Sequence, residues 1–195
     1  SFVFFTFFAA LLQTSTVSAQ RLRNDAVLRS HTVGVSHSLS RGIAIHEGQD
    51  LIALGFASGH VRLYRFSEFK AGETASDVVG EVQLSATSDI YHIGHLCIHD
   101  AGQYMVATTN FQPSGALVII GISDETQPVA TAVVPNDHGG HTSVAFKPGT
   151  NLLYVTHCVC TCCRGGGIID WGGVRIWDLN NIANPQLIGE IGAYH

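Results

Sequence analysis

Three short stretches decide the fold: Gly42-Ile43-Ala44-Ile45, Leu96-Cys97-Ile98 and Ser143-Val144-Ala145-Phe146. Each runs into a polar turn: His46-Glu47-Gly48-Gln49, His99-Asp100-Ala101-Gly102 and Lys147-Pro148-Gly149-Thr150. A second apolar stretch follows each turn: Asp50-Leu51-Ile52-Ala53-Leu54, Gln103-Tyr104-Met105-Val106-Ala107 and Asn151-Leu152-Leu153-Tyr154-Val155. Two apolar runs joined by turn residues are the signature of a β-hairpin. Three similar hairpins in one chain make a repeat.

Each hairpin is extended in the same way. A third strand reads Val61-Arg62-Leu63-Tyr64-Arg65-Phe66, Leu117-Val118-Ile119-Ile120-Gly121-Ile122 and Val174-Arg175-Ile176-Trp177-Asp178-Leu179. A fourth reads Gly80-Glu81-Val82-Gln83-Leu84, Val129-Ala130-Thr131-Ala132-Val133-Val134 and Gln186-Leu187-Ile188-Gly189-Glu190-Ile191. The first-strand anchors Ile45, Ile98 and Phe146 are 53 and 48 residues apart (98 − 45 and 146 − 98), and the third strands start 56 and 57 apart (117 − 61 and 174 − 117). Four strands recurring near every fifty residues describe one blade of a β-propeller. The expectation is an all-β propeller fragment of about three four-stranded blades, near residues 34–87, 88–136 and 137–191. No helical period of useful length competes with it.

Both ends fit the same scheme. Ala26-Val27-Leu28-Arg29-Ser30-His31-Thr32-Val33 reads as a fourth strand without its first three, the N-terminal closing strand of a ring whose remaining blades lie further along the protein. Gly192-Ala193-Tyr194-His195 is expected to open a fourth blade. Ahead of the propeller, Phe2-Val3-Phe4-Phe5-Thr6-Phe7-Phe8-Ala9-Ala10-Leu11-Leu12 is an apolar run of 11, and Val17-Ser18-Ala19 carries small residues where signal peptidase needs them. Residues 1–19 are therefore expected to be a signal peptide, leaving 20–195 as the propeller domain. The run is too short for a membrane span, which takes about 20 apolar residues. Export to the cell surface, the extracellular space or a periplasm follows.

Two motifs carry a resemblance. Trp177-Asp178-Leu179-Asn180-Asn181-Ile182-Ala183-Asn184-Pro185-Gln186-Leu187-Ile188-Gly189 and Ile119-Ile120-Gly121-Ile122-Ser123-Asp124-Glu125-Thr126-Gln127-Pro128-Val129 are similar to the LVIVD repeat of secreted propellers. Val61-Arg62-Leu63-Tyr64 and Val174-Arg175-Ile176-Trp177-Asp178 also resemble WD repeats. The first blade departs from the LVIVD pattern, because Arg65-Phe66-Ser67-Glu68-Phe69 lacks the proline and leads into a longer loop. The resemblance covers residues 34–195 and implies a propeller. Both families host many roles, so it implies no single activity.

Composition narrows the partners. The 195 residues carry a net charge of −5 and only 10 Lys and Arg, scattered along the chain, which argues against a nucleic-acid surface. A protein or small-molecule ligand remains. There are 11 His. His37, His92, His95, His138 and His141 fall just before inner strands, where residues of successive blades crowd one mouth of the central channel. Imidazoles there suit a divalent metal or acid–base chemistry, or hydrogen bonds that hold each strand in place. Asp89 and Asp137 share the offset and could orient them or cap turns.

A second cluster is His157-Cys158-Val159-Cys160-Thr161-Cys162-Cys163. In an exported protein Cys158, Cys160, Cys162 and Cys163 suit disulfides. Thiolates this dense also suit zinc or copper, but the paired knuckle spacing of a zinc site is missing. Cys97 stands apart, and five cysteines leave at least one unpaired within the chain. No nucleophile elbow, dinucleotide fingerprint or P-loop occurs. The sequence thus points to an exported binding or interaction module. The alternative is a metal-dependent hydrolase or oxidoreductase with a His-lined channel mouth.

Overall fold

A computed structural model describes residues 39–56, 58–71, 77–84, 92–110, 115–135, 140–160 and 169–194. All fall within one compact unit, Val33–His195, separate from Ser1–Thr32. The expected signal peptide 1–19 and the closing strand 26–33 lie outside the described residues.

Twelve strands are described. They are β1 (Leu39–His46), β2 (Leu51–Phe56), β3 (His60–Arg65), β4 (Gly80–Gln83), β5 (His92–Ile98), β6 (Tyr104–Asn110), β7 (Ala116–Gly121), β8 (Val129–Pro135), β9 (Gly140–Phe146), β10 (Leu152–Cys160), β11 (Ile169–Asp178) and β12 (Gln186–Tyr194). They form three four-stranded sheets in chain order, each strand antiparallel to the next. These are three propeller blades.

The blades are held by apolar burial on both faces. β2 is buried at all six of its positions, Leu51–Phe56. An alternating strand would leave one face wet; this one lies within a stack. From the first blade Leu51, Ala53, Val61 and Leu63 face the second, where Leu96, Met105, Ala107 and Val118 meet them. From the second, Tyr104, Val106, Leu117 and Ile119 face the third and pack on Val144, Leu153, Val155 and Trp177. Each fully buried side chain of this size contributes about 1.5–3 kcal/mol. Below, the face turned to the following blade is the trailing face and the other the leading face.

A polar seam joins the hairpin turns. His46 Nδ1 accepts the Gln49 amide at 3.1 Å, and its Nε2 lies 2.9 Å from the carbonyl oxygen of Asp100 in the next blade. His99 repeats the arrangement, with Nδ1 accepting from the Ala101 amide at 3.1 Å and Nε2 at 3.1 Å from the Thr150 carbonyl. Since Nδ1 accepts in both rings, Nε2 must carry the proton and donate. Asp100 Oδ2 accepts the Gly149 amide at 2.8 Å, and the His99 ring stacks on Tyr104 with centroids 4.6 Å apart. At Gly102, φ is +66° and a Cβ would fall 2.0 Å from the Gln49 side chain, so a larger residue would be strained and would displace that side chain from the second turn.

Three expectations need correction. Gly192-Ala193-Tyr194 does not open a new blade: β11 is longer than its period suggested, and pairs Gly173 with Gly192, Gly172 with Ala193 and Trp171 with Tyr194. The third strand of the first blade stops at Arg65, and a short helix, α1 (Phe66–Ala71), follows it. Asp50 sets that helix, its two carboxylate oxygens accepting from the Ser67 amide and hydroxyl at 2.6 Å each. Lastly, His92, His95 and His141 are residues of β5 and β9 rather than of the loops before them, because the ladders continue to His92–Asn110 and His141–His157.

Candidate functional site

Antiparallel pairing sends the two ends of every blade to different work. The tight turns β1–β2, β5–β6 and β9–β10 close one end with the histidine seam. At the other end, the mouth end, first strands begin, second strands finish and third strands begin. The connections there are residues 57–59, 111–115 and 161–168: three, five and eight residues on equivalent scaffolds.

The register places the expected site residues at this mouth end. His92 stands opposite Asn110 and His95 opposite Thr108. The exposed His95 donates its backbone N–H to the buried Thr108 hydroxyl at 2.9 Å. In the third blade His141 is opposite His157, and Cys158 lies between Gly140 on β9 and Gly172 on β11. Cys160 is opposite Ile169. The fold thus brings His141 and Cys158 to neighbouring strands at one edge. His37, His138, Cys162 and Cys163 lie outside the described residues. Among the described residues no group of three or more His, Cys, Asp or Glu is placed to hold a metal ion.

The polar cluster that the structure does assemble uses other residues. In the third blade His157 is 2 % exposed, and its Nε2 sits 3.3 Å from Glu190 Oε1. Arg175 Nε approaches the other oxygen of Glu190 at 3.5 Å. The imidazole reaches from β10 past β11 because Gly173 stands between: a Cβ there would lie 2.9 Å from His157 Cε1 and 2.5 Å from the Ile191 carbonyl oxygen. The first blade repeats the theme. Glu81 takes Arg62 Nε at 2.8 Å and also contacts His60. Burial pushes the Glu81 carboxyl up, but Arg62 and His60 outweigh it and hold it below the usual carboxylate range. Arg62 opposes Glu81 and Arg175 opposes Glu190 in the same register, whereas the second blade has Val118 opposite Val133. The signal was visible in sequence, as Val-Arg in the third strand and Gly-Glu in the fourth of the first and last blades. Each carboxylate has an arginine and a histidine beside it, so the arrangement is that of an ion-paired strand edge.

Cys97 is shut into the seam between the second and third blades. Burial pushes its thiol up to about 12, the Val106 backbone opposing only in part. It is no nucleophile at neutral pH.

With this geometry in place, comparison with solved structures is informative. The chain is similar to the RRP9 WD40 repeats (TM-score 0.56, 12% identity, 81% of this chain and 39% of that one). It is also similar to Sqt1 of Saccharomyces cerevisiae (TM-score 0.57, 11% identity, 82% and 37%) and to hydrazine synthase of Kuenenia stuttgartiensis (TM-score 0.57, 12% identity, 80% and 37%). It spans about two fifths of the length of these chains. No protein-family model and no curated protein matches it. At such identities the likeness defines the fold: a WD-repeat-like β-propeller. No helix among the described residues is long and apolar enough to cross a membrane.

Proposed function

We propose that this chain is part of an exported propeller that works as a binding module, with the mouth end as its contact face. The observation that carries the reading is the contrast between the ends of the blades. The turn end is consumed by inter-blade hydrogen bonds, while the mouth end hangs connections of three, five and eight residues on equivalent strands. Variable loops on an invariant frame are how rigid scaffolds acquire specificity. The sparse basic residues favour a protein or small-molecule partner over nucleic acid. The WD40-like fold of its neighbours accords with a protein partner.

Replacing residues 161–168 by a Gly-Ser segment of equal length tests this. Affinity capture from secreted material should lose its ligand with the loop, and capture indifferent to all three loops would remove the mouth from consideration. Export is tested by N-terminal sequencing of secreted protein, expected to begin at Gln20. A start at or before Phe8 would overturn it.

A metal-dependent enzyme is the second reading, favoured by the placement of His92, His95 and His141 at one end of successive inner strands. It expects about one bound metal ion per chain in elemental analysis, and metal-free protein would end it.

A further inference from the structure

Each blade ends at the rim in a fourth strand, and the three edges are not alike. β4 is four residues long and carries Glu81, and β12 carries Glu190 at its middle. Both carboxylates are held in ion pairs. β8 is seven residues long, Val129–Pro135, and holds no charged residue. Short length and charge are how natural sheets guard an edge against further strands, and β8 has neither. Among the described residues it lies at the end of its sheet, bonded to β7 alone, and Val129 and Val133 are 60 % and 59 % exposed. Further blades would not cover it. Blades of a ring stack face to face, and the second already has a neighbour on each face.

A strand edge presents main-chain donors and acceptors, so its ligand is another strand. The side chains decide which. Val129-Ala130-Thr131-Ala132-Val133 reads the same in both directions. A second copy of the strand, turned antiparallel by a two-fold axis through Thr131, therefore sets Val129 against Val133, Ala130 against Ala132 and Thr131 against Thr131. β-Branched residues opposed across strands are favourable pairs, and no like charges meet. β12 paired on itself about its centre would set Glu190 against Glu190. Pro128 and Pro135, which lack the N–H a ladder needs, bracket the stretch. The register slip of β8 against β7 falls between Ala130 and Ala132, at the centre of the palindrome, so the two-fold axis keeps it symmetric. Ala132 and Val134 are engaged on the trailing face, while Val133, opposite Val118 on the leading face, stays exposed.

We propose that two copies of this chain pair edge to edge through β8, in an antiparallel ladder centred on Thr131. The two second blades then form one continuous eight-stranded sheet, twice the four strands of each. The contact is isologous, the same five residues Val129 to Val133 serving both copies. Each copy carries a net charge of −5, and β8 keeps charge out of the contact. One strand pair is a small contact, so a monomer–dimer equilibrium that follows concentration is expected. The pairing does not depend on the mouth-end binding reading.

Disulfide trapping in the 195-residue chain reads the register directly. Opposed residues of antiparallel strands lie about 4.5–5.5 Å apart at Cα, within the span of a disulfide. Thr131→Cys alone is expected to give a dimer linked 131 to 131 in peptide mapping. Val129→Cys and Val133→Cys should each give no such self-link, because identical positions then lie roughly 13 Å apart along the strand, but the two variants mixed should link 129 to 133. Thr131→Lys and Val133→Lys, both at exposed positions, should weaken association at least about tenfold in analytical ultracentrifugation and leave melting unchanged. A Thr131→Cys chain that forms no 131–131 link, as expected if another protein occupies the edge, overturns the proposal. So do links formed equally by all three single cysteine variants, which chance collision would give. Association indifferent to both lysine variants, as expected if another surface drives it, overturns it as well.

Discussion

The second and third blades follow one trace and differ in what covers them. Leu117 and Ile119 of β7 are wholly buried against the third blade, whereas Val174 and Ile176 of β11, their equivalents, are half-buried. The lesson is that a blade's stability belongs to its seams. The repeat sequence sets the sheet, and the stack supplies most of the hydrophobic free energy, as in other one-dimensional repeat architectures.

The largest effect should come from shortening those two isoleucines. Ile119→Ala is expected to cost about 3–4 kcal/mol and Ile176→Ala about 1 kcal/mol by urea unfolding. Equal costs would break the comparison. Within the third blade, Gly173→Ala pushes a Cβ onto a backbone oxygen and is expected to cost about 2 kcal/mol. At Gly189 the added Cβ meets only ordinary contact with Ile176, so Gly189→Ala should stay within about 0.5 kcal/mol of wild type.

The seam histidines sharpen the contrast at a smaller scale. His99→Ala removes a buried bridge between the second and third blades and should cost about 1–3 kcal/mol; His46→Ala removes an exposed one and should cost less than half as much. Reactivity offers a reading without unfolding. Cys97, held near 12, should resist iodoacetamide at pH 8, whereas Ala145→Cys places a thiol at the equivalent, exposed position of the third blade and should react at the rate of a free thiol. Comparable rates would mean that the seam opens freely.

The smallest effect is electrostatic. The Glu81 carboxyl titrates below its unfolded value, so its ion pairs favour the fold above the ordinary carboxylate range and that support fades as pH falls through the folded value. For a partly exposed pair this is about 0.2–1 kcal/mol at neutral pH, and Glu81→Gln should flatten the acid limb of a pH–stability profile by that much.

The sequence made the blades legible because hairpin and period repeat three times with little noise. It was weaker at the mouth end. The strand stretches read from the sequence stop at Val155 and resume at Val174, but the ladder runs on through Cys158 and Gly172 to Cys160 and Ile169, and β12 follows to Tyr194. Propensity there is overridden by pairing. The helix Phe66–Ala71 was hidden because its cap, Asp50, lies sixteen residues before it (66 − 50) and no local pattern announces it. The histidines divide along the same line. Those beside the inner-strand starts drew attention by number, while His46 and His99, each directly after its anchor isoleucine, make the bonds between blades. Their shared offset was the available clue.

The seam has a consequence for how such a protein could be assembled over evolutionary time. Each imidazole addresses a main-chain oxygen, an atom that every residue possesses, so the joint makes no demand on the neighbour's side chain at that point. Blades joined in this way are interchangeable parts. A duplicated or transplanted repeat fits its new neighbour as soon as its turn has the right path, leaving its mouth-end loops at liberty to diverge. Gly102 is a stricter fitting, since its φ of +66° favours glycine and the Gln49 side chain fills the space a Cβ would take. A transplanted second blade without that glycine would seat badly on the first, whatever its core.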